Sequence, residues 1–198
     1  MDREGLTETG IYRVCCVTSD LQKLRQLFDR NYEEGETLLA QKNVHVAANL
    51  LKSFFRDLPE PLFTSSLYKG FTTAIQLSDI DNQRLSLLQT MENLPDNHKK
   101  ILFYLLDHLI RVSENSKMNM MHLDNLAVVF GPTLMRPSGS NPIFYSAVNN
   151  QRGMAIHHSN GQSMQTDLDQ MSSELQGSMQ QCQVVLACLK LRRDGILK

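Results

Sequence analysis

The chain has no tryptophan, only 6 prolines and 4 cysteines in 198 residues, and no surplus of either charge, with 20 Lys and Arg against 21 Asp and Glu. Each scarcity excludes something. A formal charge of -1 rules out bulk electrostatic capture of nucleic acid or acidic lipid, so any partner must be recognised locally. The longest apolar runs, Ile101 to Leu106 and Leu126 to Phe130, fall far short of the ~20 residues of a membrane-spanning helix. Met1-Asp2-Arg3-Glu4 leads into patterned sequence with no apolar segment behind a basic start, so no secretion leader is expected.

The four cysteines also fall short of a framework. Cys15 and Cys16 are adjacent, Cys182 and Cys188 stand among aliphatic residues, and none has metal-site or disulfide spacing, which fits a reducing cytoplasm. Cys182 and Cys188 read as small core hydrophobes. His157 and His158 lie in a Gly, Ser and Asn-rich stretch without a ligand partner and read as solvated loop. No Gly-rich phosphate loop, His-Glu-x-x-His or Gly-x-Ser-x-Gly occurs, so a self-contained hydrolase pocket, a metal and a cofactor are all unexpected.

What is present is helical periodicity on ordinary globular composition, 41% hydrophobic and 21% charged. Leu21, Leu24, Leu27 and Phe28 form one helical face after Ser19, with Gln22 completing a capping box. A second helix is expected over 44–55, with Val44, Ala47, Ala48, Leu51 and Phe55 inward, ending before the prolines of Leu58-Pro59-Glu60-Pro61. Others are expected near 67–75, 80–91 and 97–111. The last of these carries Ile101, Leu102, Leu105, Leu106, Leu109 and Ile110 and should be the most buried. A helix over 122–130 should stop at Gly131-Pro132.

Between Ser138 and Gln165 the apolar face disappears, and it resumes at Leu168, Met171, Leu175, Met179, Cys182, Val185, Leu186 and Leu189. The expected class is therefore an all-α, bundle-like domain: 1–137 as its main part, 138–166 as a flexible polar insertion, and 167–198 as a terminal helix packing back. Lys190, Arg192 and Arg193 suit the negative end of that helix.

Two surface features could carry function. His45, Asn49, Lys52, Ser53 and Arg56 share one face of the second helix, opposite the apolar one. Arg13 sits in the glycine-led segment Gly10-Ile11-Tyr12-Arg13-Val14, and guanidinium is the cation best shaped to bridge phosphate oxygens. Each alone is usually only a solvated side chain.

Together, however, GIYRV at Gly10 to Val14, LKSFFRDLPEPLF at Leu51 to Phe63 and NLAVVFGPTLMRP at Asn125 to Pro137 resemble the Rho-type GTPase-activating (RhoGAP) domain family, in order and at sensible separations. The resemblance implies an all-α domain that docks on a GTP-bound Rho-family small GTPase, Rac-like in the subgroup whose wording is most similar, and accelerates its GTP hydrolysis. It puts Arg13 at the arginine finger, Lys52 and Arg56 at the basic pair bracing the finger loop, Asn125 at the asparagine near it, and Pro132 at the edge of the docking groove. It also implies a cytoplasmic protein recruited to membranes through its partner, with no cofactor of its own.

Two departures set further expectations. Cys15-Cys16 stand where the family has a small residue and then glycine, so positive φ is expected to be costly at Cys16. Only 12 residues precede Arg13, so the usual N-terminal helix is expected to be lacking. An activator and a GTPase-docking module that does not catalyse are both consistent with these residues. Nucleic acid is not an expected partner.

Overall fold

The structure is a computed structural model that describes residues 5–137 and 163–198, with side chains of the last helix described from Ser172 onward. All regular elements among these residues are helical. After a 3-10 turn at Gly5–Thr7 come α1 (Thr18–Arg30), α2 (Tyr32–Ala40), α3 (Val44–Arg56), α4 (Tyr68–Ile75), α5 (Ile80–Glu92), α6 (Asp96–Glu114), the single turn α7 (Ser116–Asn119), α8 (Leu123–Leu134) and α9 (Ser163–Arg193). The insertion expected over 138–166 lies outside the described residues as far as 162, together with His157 and His158, and the chain is already helical from Ser163.

The helices expected from periodicity form with ends shifted by a few residues, and the differences have physical causes. The capping box at Ser19 does not form, because the chain reaches the helix through an extended Val17 and Ser19 is already inside α1. α2 carries no long apolar stripe and was not expected. It is announced instead by Asn31, whose side-chain oxygen accepts from the Glu33 and Glu34 amides while its Nδ2 donates to Glu34 Oε1 at 2.9 Å.

The core is centred on α8 rather than on α6. α8 packs against α3, α6 and α9, and buries Leu123, Leu126, Ala127, Phe130, Gly131 and Leu134 within 12 residues. In α6, by contrast, Ile101 turns outward and is half exposed. Gly131-Pro132 does not stop α8, which continues through Leu134. Pro132 withholds the N–H that would serve the Val128 carbonyl, and the Cys182 thiol of α9 lies 3.9 Å from that oxygen as a donor. A Cβ at position 131 would sit 2.7 Å from the Cys182 backbone nitrogen, so glycine here permits backbone-to-backbone contact of α8 with α9.

α9 packs through Gln181, Val184, Val185, Cys188, Leu189 and Leu191, whereas Leu175 and Met179 are exposed rather than returned to the bundle. Cys188 is a core residue as expected, and burial pushes its thiol up to about 12; Cys182 is only half-buried. Arg192 does more than face a helix dipole. It grips Asp107 of α6 through two hydrogen bonds of 2.7 and 2.8 Å, donates to the Leu197 carbonyl at 2.9 Å and lies over the Phe103 ring. This clamp holds the Asp107 carboxyl below the usual carboxylate range.

Candidate functional site

Residues 10–14 form a tight turn whose closure uses one carbonyl twice: the Arg13 and Val14 amides both donate to Gly10 O, at 2.8 and 2.9 Å. Two residues take left-handed conformations to make it, Gly10 at φ 71° and Tyr12 at φ 67°. A side chain at position 10 would meet Val14 Cγ2 at 2.9 Å as well as adopting that unfavourable φ, which explains the glycine. Cys16 does not take positive φ, so the left-handed turns lie before the cysteines and the expected cost there does not arise.

A tyrosine in the left-handed region is strained, and its surroundings hold it there. The Tyr12 ring is almost fully buried and meets Phe130 of α8 and His108 of α6 edge-on, with centroids 5.1 and 5.8 Å away. Its hydroxyl makes a 2.5 Å hydrogen bond with His108 Nε2. The side chain before Arg13 is thus a plug in the core, while Arg13 is exposed and its guanidinium, among the described residues, has no hydrogen-bond or ion-pair partner. Plug and cation point to opposite environments because they are neighbours in a turn.

The polar face of α3 is not a solvated stripe, since Asn49 and Ser53 are buried. It receives the turn. Lys52 Nζ donates to the Tyr12 carbonyl at 2.5 Å, and Asn49 Nδ2 donates to the Val14 carbonyl at 2.8 Å and to the His45 carbonyl at 2.7 Å. His45 Nε2 lies 3.2 Å from Glu8 Oε1, tying the incoming strand of chain to the same helix. Desolvation of the Lys52 ammonium beside this loop lowers its pKa from the ordinary lysine value, and partial burial raises that of the Cys16 thiol. On the other side the Gly10 amide donates to the Asn119 carbonyl at 2.7 Å. The fully buried Asn119 side chain in turn serves the Leu6 and Val112 carbonyls and accepts from the Met121 amide.

Among the described residues, the remaining candidates make no hydrogen bond to this turn. Arg56 sits one helical turn beyond Lys52 and pairs with Asp57 at 3.3 Å, and Asp57 also takes Arg25 of α1 at 2.5 Å. Asn125 is half-buried at the start of α8, its amide on the Met120 carbonyl at 3.2 Å. Pro132 follows two helical turns later on the same helix, partly buried. Between them Val128 is exposed. The Leu58-Pro59-Glu60-Pro61 corner is held by Arg136, almost fully buried, which donates to the Arg56 carbonyl at 3.0 Å, to Leu58 O and to Pro59 O at 3.2 Å.

Four supports were therefore missed in the sequence: Tyr12, His108, Asn119 and Arg136. Only Tyr12 had a usable signal, an aromatic residue between a glycine and an exposed arginine, where a solvated loop would place a polar one. Among the described residues no group of histidine, cysteine and carboxylate side chains is arranged to hold a metal ion.

The site thus combines a buried plug, a turn closed on Gly10 and an exposed arginine. The sequence pattern of the RhoGAP domain matches residues 1–139, and the chain belongs to that family. It is 44% identical over 138 residues to the human breakpoint cluster region protein and 41% identical over 138 residues to the Xenopus laevis active breakpoint cluster region-related protein, covering 70% of this chain in both cases. The match spans 11% of the first relative and 16% of the second. Among solved structures, the BH domain of GRAF, the GTPase regulator associated with focal adhesion kinase, superposes with a TM-score of 0.70 at 25% identity, over 98% of this chain and 87% of that one.

Proposed function

We propose that the chain is a GTPase-activating protein that lends Arg13 to the active site of a GTP-bound Rho-family small GTPase, with Rac-like members the preferred partners. Phosphoryl transfer spreads negative charge over the transferring group, and a guanidinium already fixed in place offsets that charge most at the transition state. Such a finger is worth about 10³ to 10⁵ in turnover, or about 4 to 7 kcal/mol of barrier. The nucleotide, its magnesium ion and the attacking water belong to the partner, which accounts for the lack of a phosphate loop in this sequence.

The observation that carries this reading is the exposed Arg13 guanidinium, unpaired among the described residues, next to a side chain sealed in the core. A cation that must cross an interface needs a rigid base and no competing partner of its own, and among the described residues the Arg13 guanidinium has both. In this reading Lys52 braces the loop from below, while Arg56, Asn125 and Pro132 contribute to the docking face around it. The Rac preference rests on the similarity to the breakpoint cluster region relatives. The site of action is the cytoplasm, at membranes where the partner GTPase resides; no described helix is long and apolar enough to cross one.

The test is titration of the purified chain into GTP-loaded Rac-like and Rho-like GTPases with phosphate release followed in a single turnover. Acceleration is expected, largest for the Rac-like partner. Equal acceleration of both would remove the preference, binding without acceleration would leave only a docking module, and unchanged nucleotide lifetimes across the panel would refute the reading.

A further inference from the structure

We propose that Asn49 is a positioning residue for Arg13, the stiffer half of a two-point clamp with Lys52 that fixes the backbone on both sides of the finger. The inference rests on Arg13 acting as proposed above. The turn closes on itself through Gly10 O, which leaves the Tyr12 and Val14 carbonyls directed away from that closure and toward α3. Asn49 and Lys52 are three residues apart on α3, so they share a face, separated by about 4.5 Å along the axis at the usual rise of 1.5 Å per residue. They take up carbonyls two residues apart, one before Arg13 and one after it.

The two donors differ in stiffness. Lys52 reaches its carbonyl on a four-carbon stem, and a single hydrogen bond from a rotatable ammonium fixes a distance while leaving the peptide plane free to pivot. Asn49 has two side-chain torsions, and both N–H groups of its amide are committed: one to His45 O in its own helix at 2.7 Å, the other to Val14 O at 2.8 Å. The first bond fixes the rotamer that makes the second. At 9% exposure, water competes poorly for either. With both flanking carbonyls pinned, Arg13 keeps only its side-chain torsions, and the ordering of the loop is completed on folding rather than on docking.

Among the described residues the Arg13 guanidinium makes no hydrogen bond or ion pair that would preserve the geometry if the clamp opened. A plain structural role for Asn49 would lower stability without touching the catalytic step. The two roles separate in kinetics.

The experiment compares the wild-type chain with Asn49→Ala and Asn49→Asp, each alone and combined with Arg13→Ala. Single-turnover GTP hydrolysis by a Rac-like GTPase is measured across activator concentration, and amide hydrogen exchange at Arg13 and Val14 is measured without partner. Alanine favours helix, so the first variant should fold; aspartate keeps the shape of the side chain and removes its donors. The saturated rate is expected to fall about 10- to 100-fold, the scale of a ~1 Å misplacement, with the half-saturating concentration within about threefold. Exchange at the two amides should quicken at least about tenfold, and in the Arg13→Ala background Asn49→Ala should add nothing, as expected for residues acting through one group. A folded variant with the wild-type saturated rate, or one that loses the same factor on top of Arg13→Ala, overturns the clamp. If the wild-type chain accelerates no GTPase, the proposed function fails separately, and unaltered exchange at Arg13 and Val14 then refutes the clamp on its own.

Discussion

Replacing Tyr12 with leucine tests whether Arg13, the proposed finger, is anchored through the residue before it. Leucine at φ 67° is as strained as tyrosine, so the backbone term is unchanged and only side-chain contacts are lost. Those contacts include two edge-on ring pairs, with Phe130 and His108, and the hydroxyl bond to His108. At about 0.5 to 1.5 kcal/mol for each ring pair and a similar amount for the hydrogen bond, the sum is about 1.5 to 4.5 kcal/mol. For a domain of this size each kcal/mol lowers Tm by roughly 2 to 4 °C, so a fall of about 3 to 18 °C is expected in a thermal melt followed by circular dichroism. At a temperature where both proteins are folded, the leucine variant should also activate hydrolysis less at saturation, because the turn has lost its plug. A variant with an unchanged melt and full activation would refute the anchoring argument, and an unchanged melt alone would show that the ring contacts contribute nothing.

Other expectations follow from the packing of the last helix. Gly131→Ala drives a Cβ to 2.7 Å from the Cys182 backbone nitrogen, where no side-chain rotation can relieve it. Overpacking of about 3 kcal/mol, offset by about 1 kcal/mol of helix propensity, predicts a net loss of about 2 kcal/mol in urea denaturation; a neutral or stabilising result would show that α8 and α9 are not in backbone contact. Asp107→Asn removes the carboxylate gripped by Arg192. The native Asp107 pKa is depressed, so its contribution is complete above the ordinary carboxylate range and is lost as pH falls through the native value. The variant should therefore be less stable than wild type at pH 7, by about 0.5 to 1 kcal/mol after solvent screening, with the difference closing in strong acid; a pH-independent difference would assign it to packing instead.

Most of the helices, their order and the exposure of Arg13 were legible because periodicity and the three motifs are local properties of the chain, whereas the short α2 and α7 carry no apolar stripe long enough to show. The supports were not, because each depends on a distant element: Tyr12 on His108 96 residues away, Arg136 on a corner about 80 residues upstream, Gly131 on the backbone of α9. The polar face of α3 shows the limit most directly. A row of His, Asn, Lys, Ser and Arg is the pattern of a solvated surface, and only the turn lying on it makes Asn49 and Lys52 donors to its backbone. The apolar residues at Leu175 and Met179 err in the opposite direction, since periodicity reports a hydrophobic face and not whether the bundle reaches it.

The central claim is that one exposed guanidinium acts inside another molecule's active site, and Arg13→Ala addresses it most directly. Measured in a single turnover against a GTP-loaded Rac-like GTPase, this variant should bind with an affinity within a few-fold of wild type and lose about 10³ or more of the acceleration. Acceleration that survives the substitution undiminished would contradict the account.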